Sequence, residues 1–409
     1  MRKLFVIISL ILAVGFVSAQ NMTKSPFSRY AYGLLDGNVP NTYRALGGVG
    51  VGMRSNKVIC SVQPASFTAC DSMTFMFDVA ASVGWDRYED MAGSRNQATG
   101  NLEYISLQFP IWRQHIALAA GVMPYSSVGY EINQIDSTSL PDYDAIYSYL
   151  GEGGLSQVFV GLSFNICDWV ALGANMYYMF GESTNSRTVS FVQADLNSAS
   201  QVSYMRVNSL RFRYGLQVFH TFGDHRFVLG AIFENKQKLN STYNVLETSL
   251  LDTITTYPND QHPNPFEMPM IFGGGISYSW ANRLTVAFDY TRDCMSKARY
   301  FDEVGSLNDR NRYAFGVEYM HNPQGQRYVD RVMWRVGCNV TDNYAPQLAN
   351  VKNITTTLGV GLPLRNVGTV FNASVEYTHS GTKSFLEENT IRLTINAAIS
   401  ENWFFKRRL

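Results

Sequence analysis

Side chains that change character at every second position, in segment after segment, constrain this chain more than any other feature. Val170, Leu172, Ala174, Met176, Tyr178 and Phe180 share one face of a pleated strand, while Ala171, Gly173, Asn175, Tyr177 and Met179 share the other. Leu284, Val286, Phe288 and Tyr290 alternate with Thr285, Ala287, Asp289 and Thr291 in the same way. Tyr313, Phe315, Val317 and Tyr319 alternate with Arg312, Ala314, Gly316 and Glu318. A period of two belongs to β-strands with one apolar face and one polar or small face. From Ser72 onward about fourteen such strands can be counted. They run roughly over 72–84, 101–110, 114–124, 155–166, 169–181, 208–222, 225–236, 268–280, 283–293, 311–321, 328–339, 354–363, 368–378 and 390–400. Short turns fall at Cys167-Asp168, Gly223-Asp224, Ala281-Asn282 and Leu364-Arg365-Asn366, and near Trp112-Arg113 and Asn322 to Gln326. Long polar connections lie between them, around 85–100, 125–154, 182–207, 237–267, 294–310, 340–353 and 379–389. An even strand count, with short turns at one end and long loops at the other, predicts an all-β fold: a transmembrane antiparallel β-barrel of the outer-membrane kind. Short turns face the periplasm in that arrangement, which puts the N-terminal segment and the C-terminus there.

Tryptophan placement points the same way. Trp112, Trp169, Trp280 and Trp403 sit at expected periplasmic strand ends, Trp85 at an outer end, and Trp334 within a strand. An indole suits a membrane interface because one side of it is apolar and the other meets water. After the N-terminus no apolar run approaches the roughly 18–20 residues of a spanning helix. The 24 Tyr, 25 Phe and 32 Gly suit strands and turns.

Residues 1–19 read as a secretory signal peptide. Arg2 and Lys3 give the charged start, Leu4 to Val17 the apolar middle, and Val17-Ser18-Ala19 the small-residue cleavage site. No Cys follows that site, so no lipid anchor is expected there. Without residues 1–19 the chain carries 31 basic and 33 acidic residues, a balance with no electrostatic drive toward nucleic acid. Six scattered His make a His-built metal centre improbable, and neither metal nor cofactor is expected. No His-Glu-x-x-His pattern or nucleophile elbow appears, so no catalytic residue is assigned. Among five cysteines, Cys60 and Cys70 either pair in an oxidising compartment or serve as small buried hydrophobes.

Residues 20–71 do not alternate. They hold the run Gly47-Gly48-Val49-Gly50-Val51-Gly52 and then Gln63-Pro64-Ala65-Ser66. No strand–loop–helix unit surrounds the glycines, so they do not form a phosphate loop. About fifty residues are too few for a well-cored domain. The segment is therefore expected to plug the lumen of a barrel spanning residues 72–409.

A signal peptide, a glycine-rich segment ending in an Asn-Pro-Ala-like motif, and about fourteen strands together resemble the FadL-type fatty-acid transporter family of outer-membrane barrels. The residues that carry the resemblance are Ala45 to Gly52, Gln63-Pro64-Ala65-Ser66, and Phe272 to Tyr278 leading into Leu284 to Tyr290. Gln63 stands where the family usually has Asn. The opening Ser25-Pro26-Phe27-Ser28-Arg29-Tyr30 and the ending Glu401 to Arg408 resemble members from the Bacteroidetes. The resemblance implies passive uptake of hydrophobic or amphipathic small molecules, fatty-acid-like, through an apolar pocket and a lateral gap at a kinked third strand. Here that strand runs from Gln114 to Met123, followed by Pro124 and, in the next loop, Gly129. Either residue can open such a gap, or Pro124 simply ends the strand.

Opposite the apolar faces stand Arg211, Arg213, Gln217, Asp289, Arg312, Glu318, Arg331, Arg335, Glu376 and Arg392. Charges removed from water cost several kcal/mol apiece unless paired, so these must line water or bridge one another. Such a lumen suits a polar network holding a plug better than it suits an acyl chain. Tyr125, Tyr130, Tyr143, Tyr147 and Tyr149, in the third-to-fourth connection, either roof a pocket nearer the mouth or form a partner-binding surface. Two functions follow: uptake of a hydrophobic small molecule from the outer-membrane lipids, or a non-conducting barrel that joins other envelope proteins in a secretion or assembly complex.

Overall fold

The computed structural model describes residues 23–90, 93–136, 144–191, 198–249, 252–257, 265–364, 368–382 and 386–402. The signal-peptide reading, Tyr143 and Trp403 lie outside them.

Fourteen antiparallel strands form the wall. In chain order they are β1 (Thr74–Glu89), β2 (Ser94–Trp112), β3 (Ile116–Asp136), β4 (Ala145–Cys167), β5 (Val170–Phe191), β6 (Ala199–Phe222) and β7 (His225–Glu234). Then come β8 (Ile271–Trp280), β9 (Leu284–Asp293), β10 (Arg310–Met320), β11 (Met333–Asp342), β12 (Lys352–Pro363), β13 (Val370–Thr382) and β14 (Leu386–Asn402). Each pairs with the next, and β1 pairs with β14 from Thr74↔Asn402 to Glu89↔Glu387, which closes the barrel. Closure leaves neither the first nor the last strand with an unpaired edge.

The alternation is that of a membrane barrel, with apolar residues outside and polar ones inside. On β6, Leu210 and Phe212 are 43% and 41% exposed, while Arg211 and Arg213 between and beside them are 2% and 7%. A soluble barrel of this size would show the reverse. No helix among the described residues is long and apolar enough to cross a membrane. At the short turns Ala281 and Asn282 take φ of 51° and 52°, the left-handed backbone that a tight antiparallel connection needs.

The strands on one side are much longer than their alternation indicates. Stretches 85–100, 125–154 and 182–207, expected as loops, are largely strand among the described residues: β1 runs to Glu89 and β2 starts at Ser94, β3 runs to Asp136 and β4 starts at Ala145, and β5 runs to Phe191 and β6 starts at Ala199. Residues such as Thr184-Asn185-Ser186-Arg187 and Gln201-Val202-Ser203 are half-exposed or exposed on both faces, so period two is absent although the ladder continues. A hairpin, Ser241–Ser249 with Asp252–Tyr257, pairs on β6 beyond the end of the shorter β7. Trp334 also differs from expectation. Strand β11 begins at Met333, so Trp334 stands at the short-turn end, level with exposed Trp112, Trp169 and Trp280. Arg331 lies outside β11 for the same reason: residues Tyr328–Arg331 close a 3-10 turn, and the guanidinium lies 5.9 Å from the Tyr328 ring.

At the loop end, Tyr32, Tyr125, Leu155, Met179, Met205, Leu239, Phe266, Met268 and Tyr344 pack into one apolar cluster. Tyr125 and Tyr130 sit on β3, and Tyr147 and Tyr149 on β4, rather than in a loop.

Candidate functional site: the lumen and the interrupted wall

Residues 23–71 pack against inward-facing residues of the strands. They contain a 3-10 turn Pro26–Arg29, a short strand Leu34–Leu35, one helical turn Asn41–Arg44 and a 3-10 helix Pro64–Ala69. Their apolar side chains make two small clusters against the wall. Val39, Tyr43, Leu46, Val49, Val51 and Val62 meet Ile232, Ala287 and Ala314. Ile59, Phe67 and Cys70 meet Met76, Ala117, Phe159 and Tyr177. Cys60 and Cys70 are free thiols in separate clusters, and burial pushes the Cys60 thiol up to about 12.

The glycine run wraps a wall carboxylate. Asp289 on β9 accepts from the backbone N–H of Gly50 (2.5 Å), Val51 (2.7 Å) and Gly52 (3.0 Å). Three converging amides make a concave anion site, here occupied by the protein's own side chain. Around it, Gly47 N donates to Thr357 (2.9 Å), Gly47 O accepts from Asn339 (2.9 Å), and Gly48 O accepts from Arg312 (3.1 Å). Gly47 and Gly48 take φ of +72° and +82°, which glycine adopts without strain. Gln63 donates from Nε2 to Val51 O (3.1 Å), Leu216 O (3.2 Å) and Ala231 O (3.3 Å), so its extra methylene over Asn reaches two wall carbonyls. Pro64 starts the 3-10 helix, and Ala65 O accepts from Arg54 (2.8 Å) and Ser163 (3.2 Å).

Contact this close needs a wall with no side chains at the same height. Gly173, Gly215, Gly230, Gly275, Gly316 and Gly337, on six different strands, all face residues 46–65. A Cβ at Gly337 would lie far inside van der Waals contact with Gly47 N, and one at Gly230 far inside contact with Val51 O. Period two alone showed Gly173 and Gly316 only as small residues on the polar face.

Charges tie the segment at a second level. Arg44 bonds Glu103 at 2.5 Å and also faces Glu376 (3.4 Å) and Asp36 (3.9 Å). Burial opposes its charge, but Glu103, then Glu376 and Asp36, more than offset this and hold the guanidinium well above its ordinary value. Neither Arg44 nor Glu103 was among the expected network residues. Between Ala80↔Tyr104 and Ala81↔Leu102 the register skips Glu103, a β-bulge that turns an extra side chain inward. The other lumen residues fall into small groups, one of which shares Glu103 with Arg44. Arg211 and Arg213 share Glu234, Arg335 bonds Glu318 (2.6 Å) and Asn372 (2.6 Å), and Arg392 lies 3.9 Å from Glu103. Gln217 donates to Met53 O (2.9 Å). Arg54, from the inner segment, stacks on Phe219 at 4.0 Å; burial and then the neighbouring Arg226 charge pull it down to about 9.

The wall is interrupted at the third strand. β3 pairs with β2 only from Trp112↔Ile116 to Ile105↔Val122, while its pairing with β4 continues to Asp136↔Ala145. Pro124 neither ends the strand nor precedes a loop: it sits within β3, at a register shift against β4 between Pro124 and Ser126. Gly129 is likewise a β3 residue. From Met123 to Tyr130 nearly every side chain is buried, so both faces of β3 lie inside protein there. The edge that β2 leaves is taken by the N-terminal segment. Leu34 and Leu35 pair with Ser127 and Ser126, Asp36 N donates to Tyr125 O (2.9 Å), and Ser28 Oγ bridges Gly129 O (2.9 Å) and Gly129 N (3.0 Å).

Behind this interruption lies a cavity of about 250 Å³, bounded by Phe27, Leu34, Leu35 and Val39 on one side and by polar residues of β10 to β14 on the other. A wider vestibule of about 610 Å³ opens at the short-turn end, beneath Arg54 and Tyr43. Residues 40–65 separate the two.

A family described as BamG has a sequence model that matches residues 1–409. The chain belongs to the BamG family. A comparison with curated protein sequences gives no match. Among solved structures, this BamG-family chain is similar to the CymD monoaromatic hydrocarbon channel: 14% identity, 90% of this chain and 99% of that one, TM-score 0.57. It is similar to the P. putida toluene transporter TodX at 13% identity, 89% and 98% coverage, and TM-score 0.59. It is similar to a Pseudomonas aeruginosa FadL homologue at 11% identity, 89% and 99% coverage, and TM-score 0.57. At such identities the likeness establishes the fold, a fourteen-stranded β-barrel of FadL type.

Proposed function

We propose that this BamG-family barrel admits a small hydrophobic or amphipathic molecule across the outer membrane, with residues 23–71 as its plug. The short turns face the periplasm. The molecule enters the cavity beside β3 and leaves between β2 and β3, while residues 25–36 gate the passage by pairing with the free edge of β3. The observation that carries this reading is the missing β2–β3 ladder beyond Val122 with a cavity directly behind it. Proteins of the same fold include a monoaromatic hydrocarbon channel and a toluene transporter, which supports the class. The experiment is a reversible lock: Leu34→Cys with Ser127→Cys, on paired positions, joins the gate to the wall. Uptake of a short amphiphile into proteoliposomes should fall at least about tenfold on oxidation and return with reductant. Uptake indifferent to the lock would refute the gate.

A second reading, a non-conducting subunit of an envelope secretion or assembly complex, is favoured by a different observation. The apolar cluster around Tyr32, Tyr125, Phe266 and Met268 is filled by the chain's own side chains, and Arg44 and Asp289 hold the plug at two levels. That reading predicts other envelope proteins at fixed stoichiometry in native preparations, and no uptake in either redox state.

A further inference from the structure

Two buried carboxylates sit where the gate segment meets the wall. Asp86 on β1 pairs in register with Thr390 on β14, and Tyr88 pairs with Glu388, so these four side chains share one face. Asp86 and Glu388 are both buried. They lie on the loop side of the apolar band, since the outward residues at that height are Arg87 and Glu89, paired with each other at 3.3 Å. Thr390 Oγ1 stands between the carboxylates, 2.6 Å from Asp86 Oδ1 and 3.4 Å from Glu388 Oε1. A hydroxyl has one hydrogen to donate, and the short contact to Asp86 takes it. Glu388 Oε1 then meets the Thr390 oxygen with no hydrogen between them unless Glu388 carries a proton of its own. Protonated, it donates to Thr390, which donates to Asp86.

The other oxygen of Glu388 holds the gate. Glu388 Oε2 accepts from Ser25 Oγ, and Ser25 is fully buried. Ser25 caps the 3-10 turn Pro26–Arg29: its Oγ accepts from Phe27 N (3.2 Å) and its carbonyl from Ser28 N (2.9 Å). Ser28 Oγ in turn accepts from Gly129 N (3.0 Å) on the free edge of β3. A line of contacts therefore runs from β14, through one turn, to the interruption in the wall.

Ionised, Glu388 would set a second negative charge beside Asp86 in a site largely shut off from water, and no cation among the described residues pairs with it. Arg392, on the same face of β14, lies 3.9 Å from Glu103 of β2 instead, and Glu376 of β13 faces Arg44. Arg95 of β2 stands across from Tyr88, and Lys24, beside Ser25, is exposed. Burial pushes the Glu388 carboxyl up to about 7; the bond from Ser25 opposes this, the Asp86 charge adds to it, and Thr390 and Arg392 oppose it. Released into water, the group returns toward the ordinary value of 4.5. Docking of the turn is therefore fully favoured below that value and weakens as pH rises through about 7.

We propose that Glu388 is the latch of the gate: with its proton it holds Ser25 and the turn behind it against the wall, and without that proton it lets the turn go and frees the edge of β3. The proposal rests on the gate reading above and adds what releases the gate.

The test follows hydrogen exchange of residues 25–29 in the full chain, in lipid nanodiscs, between about pH 5.5 and about pH 8.5, corrected for the intrinsic pH dependence of amide exchange. Proteoliposome uptake of a short amphiphile is measured over the same range. Protection should fall at least about tenfold as pH rises, and uptake should rise with it. Glu388→Gln keeps an acceptor for Ser25 and a donor for Thr390 at every pH, and should stay protected throughout. Asp86→Asn removes the like charge, so the turn should hold to higher pH if the amide donates to Thr390 and in any case lose its midpoint near that of the parent. Protection in the parent that ignores pH, or a Glu388→Gln variant that still loses it, would overturn the latch, as would a midpoint unmoved by Asp86→Asn. Protection lost with rising pH while uptake stays flat would leave the latch standing and overturn the gate reading.

Discussion

Replacing Arg44 by Met is expected to undock the inner segment without unfolding the barrel. Arg44 sits against Glu103, whose side chain is 3% exposed, and Glu376 shares the same guanidinium. Removing one member of a buried pair leaves its partner desolvated and unpaired, at a cost of about 3–5 kcal/mol. That cost falls on the contact between the segment and the wall, because Glu103 belongs to the wall strand β2, whose neighbours Leu102 and Tyr104 are paired with β1. Planar-bilayer conductance should rise well above that of the parent, while the strands stay paired. The double variant Arg44→Met with Glu103→Gln should recover most of the closure, since it removes both buried charges together. Conductance equal to the parent in the single variant would show that this pair does not hold the segment.

Asp289→Ala is expected to have the next largest effect, and at the other level. The carboxylate satisfies three backbone donors, on Gly50, Val51 and Gly52, and each donor orphaned in a buried site costs about 1–3 kcal/mol. The amides of Gly50 to Gly52 should lose hydrogen-exchange protection, whereas amides of β9 and its neighbours should keep theirs. Asp289→Asn should fall between, because the amide offers an oxygen to some of the donors but turns an NH₂ toward another. Protection at Gly50 to Gly52 unchanged in the alanine variant would mean that contacts elsewhere position the glycine run.

These two sites differ in how far they could be read from sequence. Asp289 was legible as an inward polar residue because Phe288 and Tyr290 flank it on the apolar face and period two is unbroken there. Its partners were not, since nothing local tells which backbone amides will meet a lumen carboxylate. Glu103 was hidden by a bulge, because one extra residue breaks the parity that face assignment depends on. Strand β3 was cut short at Pro124 for a related reason. From Met123 to Tyr130 nearly every side chain is buried, so no alternation remains to detect. The outer halves of β4 to β6 failed in the opposite sense, with polar residues on both faces. Arg331 was placed in the lumen by extending a strand backward through a 3-10 turn.

The strand count and the antiparallel closure were legible because lipid imposes a uniform demand on the wall: every outward residue at membrane depth must be apolar. The lumen carries no such uniform demand. There each side chain answers to one specific partner, and that partner comes from a segment distant in sequence. The wall glycines illustrate the difference. Gly316 and Gly337 are required by the backbone of Leu46 and Gly47 pressed against them, not by any property of their own strands.

The central claim is that residues 23–71 close a barrel that would otherwise be open. The direct measurement is liposome permeability to small polar solutes, for the full chain and for one lacking residues 20–66. The wall ladders are independent of that segment except along the free edge of β3, and the inward polar side chains would then face water, so the shortened barrel should still fold. Rapid solute entry through the shortened barrel, with none through the full chain, is the predicted result. Equal permeability of the two would contradict it.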